Sequence, residues 1–111
     1  MVEHGSPLLD RTYGALAHPV RRELLDALRA GSVNVTDLAA PFDMSLAAVS
    51  KHIGVLEAAG LVSRTPLGRT RVVTLEPLPL IEARGWIDTY ETFWEERLDA
   101  LEAHLVDRGR T

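Results

Sequence analysis

The 111-residue sequence predicts a mainly α-helical domain with a β-hairpin wing, on the basis of three observations. Residues 34–59 have the pattern of two helices separated by a turn, which is a helix-turn-helix. Residues 61–75 contain two β-rich runs around a glycine-containing tip. Residues 80–105 repeat apolar side chains at heptad-like spacing. Together they predict a winged helix-turn-helix with additional helices at its N- and C-terminal ends.

Length and composition restrict the class of protein. A second hydrophobic core would not fit in 111 residues, so we treat residues 1–111 as one domain. The chain has no cysteine, which excludes disulfides and thiolate metal sites and is typical of a cytoplasmic protein. No apolar run approaches the roughly 20 residues that span a bilayer, and the N-terminus lacks the pattern of a signal peptide. We therefore expect no membrane association.

Charge is distributed unevenly along a chain whose net charge is −4. Residues 1–45 carry −2 and residues 78–111 carry −4, whereas residues 46–77 carry +2, from four basic and two acidic side chains. DNA binding requires a local basic surface and not a basic protein. The positive segment is therefore where a contact with DNA is expected.

Two helices precede the helix-turn-helix. Apolar spacing predicts the first over residues 8–17, and Pro19 suits the first position of the second, because its missing N–H is not needed there. Arg21 and Arg22 open this second helix at the end that disfavours cations. We expect one of them to pair with Asp26, four or five residues on, in a structural role.

Two N-caps define the helix-turn-helix. Asn34 caps a short helix that Pro41 brings to an end, and Ser45 caps the next helix, over residues 46–59. Three apolar residues spaced i, i+4 and i+7 form the buried stripe of that helix. They are Val49, Ile53 and Leu56.

The opposite face of the residue 46–59 helix has small and polar residues, as a helix entering a DNA groove requires. Small residues let the backbone approach base edges, the Ser50 hydroxyl can bond to a base or phosphate, and Lys51 supplies a cation. The alternative is an ordinary solvated face, which the preceding turn and following hairpin disfavour. The candidate contacts on this helix and its cap are Ser45, Leu46, Ala47, Ser50, Lys51 and, between the two faces, His52.

The hairpin supplies further candidate contacts. Arg64, Arg69 and Arg71 lie near its tip, where arginine can clamp phosphate or enter a minor groove, although ordinary surface arginines remain the alternative. Arg64 and Arg71 are expected to face one another across the strands, which is unfavourable without an anion between them. Thr36, near the N-terminus of the short helix, is either a phosphate contact or a local structural residue.

Residues 80–105 are predicted to form one long helix with an apolar seam and acidic outer faces. A helix of roughly 25 residues is about 38 Å long, which exceeds one small core. A two-fold dimer would cover the seam and the first helix, and would place two DNA-reading helices about one DNA turn, ~34 Å, apart. The expected interface consists of Leu8, Leu9, Tyr13, Ile87, Tyr90, Trp94, Leu98, Leu101 and Leu105.

The sequence offers no catalytic or metal-binding set. It has no glycine-rich phosphate loop and no Ser/His/acid arrangement at a recognisable elbow, so we expect neither an enzyme nor a cofactor. The four histidines do not form a compact ligand set. A metal site built across a dimer from Glu102, His104 and Asp107 is a disfavoured alternative.

These segments resemble the ArsR/SmtB family of bacterial winged-helix repressors. The matching stretches are ALAHPVRRELLDAL, VTDLAAPFDMS, AAVSKHIGVLEAAGLVSR and GRTRVVTL. The terminal ETFWEERLDALEAHL resembles the metal-independent branch often found beside genes for START-like (SRPBCC) proteins. The resemblance implies a homodimer that binds an imperfect inverted repeat in double-stranded DNA and represses transcription, often of its own operon.

The chain departs from the family pattern at two informative positions. Metal sensors of the family carry Cys-Val-Cys where this chain has Asn34, Val35 and Thr36, so metal sensing is not implied. Relatives of the branch often have a basic residue in place of Gly54, so DNA contact is expected to depend more on Lys51 and the wing. A small-molecule effector is compatible with a pocket between the long helix and the core. The rival interpretation, which the acidic net charge favours, is a winged-helix interaction module that does not read DNA.

Overall fold

The computed structural model describes residues 7–109 and confirms the predicted fold class. A helix-turn-helix and an antiparallel wing follow two N-terminal helices, and one long helix comes last. The elements are α1 (Pro7–Leu16), α2 (Pro19–Ala27), β1 (Val33–Asn34), α3 (Val35–Ala39), α4 (Leu46–Ala58), β2 (Val62–Leu67), β3 (Thr70–Leu75) and α5 (Leu78–Gly109).

Arginine side chains hold the junction between α1 and α2. Arg21 donates from Nε to the carbonyl of Ala15 at 2.7 Å and from Nη2 to that of Gly14 at 3.1 Å. Arg22 donates from Nη1 to the carbonyl of Leu16 at 2.7 Å. These carbonyls belong to the last turn of α1, where helical partners run out and the dipole favours cations. The predicted pairing with Asp26 is therefore wrong, because both arginines reach back to α1.

Both N-caps predicted for the helix-turn-helix are present. Asn34 accepts at Oδ1 from the backbone N–H of Asp37 at 2.8 Å and donates from Nδ2 to the Asp37 carboxylate at 2.8 Å. Ser45 Oγ accepts from the backbone N–H of Ala48 at 3.1 Å. Each cap satisfies a backbone donor that the first helical turn leaves without a partner. Local sequence therefore fixes where α3 and α4 begin.

The core lies under the inner face of α4. Val49, Ile53 and Leu56 are each 0% exposed, which confirms the predicted stripe. Burying side chains of this size contributes roughly 1.5–3 kcal/mol each. The surrounding elements contribute Leu24, Leu25, Leu28, Leu38, Leu61, Val62 and Val73 to the same cluster.

The wing is a three-stranded antiparallel sheet in the order β1-β3-β2. Strand β2 continues two residues beyond its predicted end, to Leu67, which leaves Gly68 and Arg69 as the loop. Gly68 has φ +63°, and a left-handed first loop residue is typical of a type II′ turn. Pro66 lies in edge strand β2, where a missing N–H is tolerated.

The short loop changes the register that the sequence predicted. Arg64 lies opposite Val73, and Arg71 lies opposite Pro66, so the two arginines do not face one another. A four-residue loop would have paired them, but the extension of β2 shortens the loop and moves each partner by two positions. Strand β1 was not predicted, since two residues carry no periodicity.

Helix α5 has 32 residues, which corresponds to about 48 Å, and extends past both predicted ends. Its first turns pack on α1, where the Tyr13 hydroxyl donates to the carbonyl of Ala83 at 3.0 Å and the Tyr13 ring meets Trp86 at 5.7 Å. Beyond this contact the helix projects, and the described chain is 74 Å long. No helix within residues 7–109 is both long enough and apolar enough to cross a membrane.

Candidate nucleic-acid interface

A concave groove of about 530 Å³ lies between α4, the start of α3 and the wing. Two of its lining residues, Val35 and Thr70, were not predicted as DNA contacts, because their sequence pattern does not differ from that of their neighbours. The fold thus gathers candidate contacts from three separate segments on one surface. The predicted residues that line the groove are Thr36, Leu46, Ala47, Ser50, Arg64, Arg69 and Arg71.

Exposed cations stand beside this groove. Arg69 at the tip and Arg71 on β3 are exposed, and within the described part of the chain neither guanidinium has a hydrogen-bond or ion-pair partner. Lys51 is exposed on α4 next to Ser50, and Ser45 is exposed at the N-cap of the same helix, though neither lines the groove itself. An anionic ligand in the groove would therefore meet positive charge from both the helix and the wing.

Arg64 belongs to β2, and it differs from the other wing arginines because its side chain contacts α4 and does not lie at the tip of the wing. It donates from Nη1 to Ser50 Oγ and from Nη2 to the Ser50 carbonyl, each at 2.9 Å. Its Nε is 3.4 Å from the Glu57 carboxylate, and its side chain is 14% exposed. The sequence contains one signal of this contact, the mid-helix Gly54, where an added Cβ would lie 3.4 Å from Nη2.

His52 points toward the junction of α1 and α2. Its Nδ1 is 3.1 Å from Arg21 Nη1, and since a guanidinium only donates, Nδ1 is the acceptor. Its ring centroid is 4.4 Å from that of His18, which caps α2 by accepting at Nδ1 from the Val20 N–H at 3.2 Å. Burial, then His18, then Arg21 lower the pKa of His52 below the ordinary value for histidine. The neutral imidazole of His52 thus connects α4 to α2 through Arg21, and it does not line the groove.

The predicted apolar seam on α5 is exposed along the whole helix. Its large side chains are between 49% and 60% exposed, from Ile87 at the low end to Trp94 at the high end. On α1, Leu8 is 56% exposed and Leu9 is half-buried, while Tyr13 is bonded to α5. The other exposed residues of the α5 seam are Tyr90, Leu98, Leu101 and Leu105.

Two aromatic residues of this surface were not predicted. Trp86 is 44% exposed and contacts both Tyr13 and Tyr90, with ring centroids 5.7 Å and 5.0 Å apart. Phe93 is also 44% exposed, and the guanidinium of Arg97 lies 4.7 Å from its ring centre. The heptad pattern omitted both residues because they lie beside its seam.

A second pocket, of about 330 Å³, lies where α2, the end of β3 and the start of α5 meet. Its wall combines apolar side chains with charged side chains from α2 and the turn after it. It lies between the long helix and the core, the location considered above for a small-molecule effector site. The lining residues are Leu16, Arg22, Leu25, Asp26, Arg29, Leu75 and Leu80.

Metal-ligating side chains do not cluster in the described part of the chain. Between residues 7 and 109, no group of three or more His, Asp or Glu side chains is arranged to hold a metal ion. His104 is exposed on α5, and His4 lies outside the described residues.

Comparison with known proteins identifies the family. A family model described as a helix-turn-helix domain matches residues 16–65. The HTH-type transcriptional regulator Rv2034 of Mycobacterium tuberculosis (strain ATCC 25618 / H37Rv) is 38% identical over 98 residues, which is 88% of each chain. The crystal structure of an ArsR family transcriptional regulator matches with a TM-score of 0.75 and 36% identity, covering 79% of this chain and 97% of that one. The chain belongs to the ArsR family.

A third relative is the transcriptional repressor SdpR of Bacillus subtilis (strain 168), which is 27% identical over 79 residues, or 71% of this chain and 88% of that protein. ArsR-family proteins are DNA-binding transcriptional regulators and not enzymes. The predicted DNA-binding function is therefore confirmed, and the rival interpretation of a module that does not read DNA is disfavoured. In an ArsR-family chain, α4 is the second helix of the helix-turn-helix, the helix that enters the major groove in this motif.

Proposed function

We propose that this ArsR-family chain is a homodimeric transcriptional repressor that binds an inverted repeat in double-stranded DNA. Helix α4 lies in the major groove, and the wing holds the adjacent backbone or minor groove. The observation that carries this proposal is the groove in which Ser50 from α4 faces Arg69 and Arg71 from the wing. Its surroundings suit a polyanion, because exposed cations stand beside it on α4 (Lys51) and on the wing (Arg69 and Arg71).

The proposed contacts divide into two kinds. Leu46, Ala47 and Ser50 face the base edges, where short side chains permit close approach. The others position the protein on phosphates, with cations or with hydroxyls near helix N-termini. His52 and Arg64 are left out of the contact set because other side chains of the protein hold them. The phosphate contacts are Thr36, Ser45, Lys51, Arg69 and Arg71.

A second copy of the chain is the proposed partner of α1 and α5. The seam exposes a continuous row of large apolar side chains over a helix of about 48 Å, which is costly in water. Two-fold pairing would bury the row once for both subunits and bring two α4 helices to one face. An operator with two related half-sites would match this symmetry.

We further propose that the protein acts without a metal, in the cytoplasm where bacterial DNA lies. The chain has no cysteine, so it cannot supply thiolate ligands to a metal. Residues 34–36 present an amide, an isopropyl group and a hydroxyl at the start of α3. These side chains fit helix capping and phosphate contact better than metal ligation.

Footprinting on the DNA upstream of the gene tests the proposed function. Two protected segments should appear, with centres one helical turn of about 34 Å apart or a multiple of it. A scrambled duplex of the same composition is the control. A single protected half-site would contradict the dimeric arrangement, and absence of protection on every upstream fragment would contradict operator binding.

A further inference from the structure

We propose that Arg64 is a positioning residue, not a DNA contact: it fixes the wing on α4 and leaves the Ser50 hydroxyl proton free to bond DNA. We call its contacts with Ser50 and Glu57 the Arg64 bridge. The inference rests on the proposed assignment of α4 and the wing as the DNA-binding surface. It separates Arg64 from Arg69 and Arg71, which belong to the same hairpin but have exposed side chains.

The Arg64 bridge joins strand β2 to helix α4. The two terminal nitrogens of Arg64 bond Ser50 at its hydroxyl and its carbonyl, both at 2.9 Å, and Nε lies 3.4 Å from Glu57. Ser50 and Glu57 are seven residues apart, so the guanidinium contacts residues that lie two turns apart on one face of α4. Planar, forked donation of this kind restricts orientation, which a flexible ammonium would not.

The Arg64 bridge needs space on the face of α4. Gly54 lies between Ser50 and Glu57 on the same face, and a Cβ there would sit 3.4 Å from Arg64 Nη2, at the near limit of ordinary contact. Glycine inside a helix costs about 1 kcal/mol relative to alanine. The space that the Arg64 guanidinium needs is a physical reason why glycine stands at this position despite that cost. A longer side chain at position 54 would displace Arg64 from α4.

Ser50 keeps part of its hydrogen-bonding capacity within the Arg64 bridge. Its oxygen accepts from Arg64, and within the described chain its own proton has no acceptor. The free proton can bond a phosphate oxygen or a major-groove acceptor such as guanine O6, purine N7 or thymine O4. Arg64 therefore orients the hydroxyl and holds it at a fixed place beside the wing.

The Arg64 bridge is connected to the core through the sheet. Arg64 lies opposite Val73, which is fully buried, so the bridge leaves the sheet at a rigid point. Arg71 lies opposite Pro66, closer to the tip, and its side chain is exposed. The bridge thus sets the distance between the cations of the wing and the face of α4.

Salt dependence of DNA binding separates a positioning residue from a phosphate contact. Each phosphate contact that is lost lowers the slope of log K against log salt by about 0.9. We expect Arg71→Gln to lower the slope by that amount. Arg64→Gln and Arg64→Lys should leave the slope unchanged and reduce the preference for operator over scrambled DNA by about tenfold, because the fork is lost in both. A slope that falls by one in Arg64→Gln, or an unchanged preference in both Arg64 variants, would overturn the proposal.

A double-mutant cycle tests the role of Gly54. Gly54→Leu should reduce the operator preference in the wild-type background and add little in the Arg64→Gln background, because its effect is to displace the guanidinium. Equal effects in the two backgrounds would overturn the link between Gly54 and Arg64. Far-ultraviolet circular dichroism confirms that each variant is folded.

Hydrogen exchange without DNA keeps the test independent of the proposed function. Arg64→Gln should speed amide exchange in β2 and β3 more than Arg71→Gln does, since only the first variant frees the wing from α4. Equal exchange in the two variants would overturn the bridge itself. If the wild type shows no preference for operator DNA while this difference in exchange is present, the proposed function fails and the bridge stands.

Discussion

At the scale of single residues, α4 is held by side chains of very different predictability. Ser45 was recognised as an N-cap from its neighbours alone, because a cap bonds a backbone N–H three residues away. The contacts of His52 and Arg64 could not be found in this way, since Arg21 and Ser50 come near them only after folding. Identical residue types in the wing therefore differ in role according to register.

Lys51→Ala and Arg69→Ala should each weaken binding to operator and scrambled DNA alike. Each removes one proposed phosphate contact, so the salt slope should fall by about 0.9 and specificity should change little. Arg29→Ala, which removes an exposed arginine outside the groove, is the matched control. Fluorescence anisotropy titrations across a salt series measure the slope, and unchanged slopes in both variants would contradict the assignment.

Acidification should destabilise the fold partly through His52. The pKa of His52 is lowered in the folded state, first by burial and then by His18 and Arg21. The unfolded chain therefore binds more protons once the pH falls to about 6.5, the ordinary histidine value. This contribution is complete above that pH and is lost as the pH falls from there through the lower, folded pKa.

Urea unfolding of His52→Gln between about pH 7.5 and about pH 5 measures this effect. The variant should lose less free energy of unfolding than the wild type over that range, because glutamine can accept from Arg21 without titrating. His104→Gln, on the exposed surface of α5, is the control. Identical pH dependence in the wild type and His52→Gln would contradict the lowered pKa of His52 in the folded protein.

At the scale of elements, helices were predicted better than strands. The stripe of α4 and the seam of α5 have a period that the sequence displays directly, so both helices were found. The wing was predicted at the correct place in the sequence. Its loop was predicted two residues too long at the β2 end, because β2 continues through Pro66 as an edge strand. Strand β1 depends on pairing with β3, which no local pattern records.

Placing negative charge in the α5 seam should dissociate the proposed dimer into monomers. The double substitution Trp94→Glu and Leu98→Glu places two carboxylates in a surface that a second copy would bury, and an unpaired buried charge costs several kcal/mol. Multi-angle light scattering should show a monomer for this variant at micromolar concentration. Glu95→Gln, an exposed position beside the seam, should leave the mass unchanged. A variant that remains dimeric would show that the seam is not the interface.

At the scale of the whole molecule, net charge was a poor guide and charge distribution a good one. The chain carries −4 overall, yet its free wing arginines and Lys51 stand around one groove. The sequence predicted which residues belong to this surface, because the helix-turn-helix pattern and the hairpin after it identify the segments that form it. The relative placement of two subunits was beyond the sequence, because spacing in one chain does not determine a two-fold axis.

The central claim is that α4 and the wing, duplicated in a dimer, read one DNA sequence in preference to others. The most direct measurement is the ratio of dissociation constants for the footprinted operator and a scrambled duplex at physiological salt. The account predicts at least about a thousandfold preference for the operator. Equal affinity for the two duplexes would contradict it.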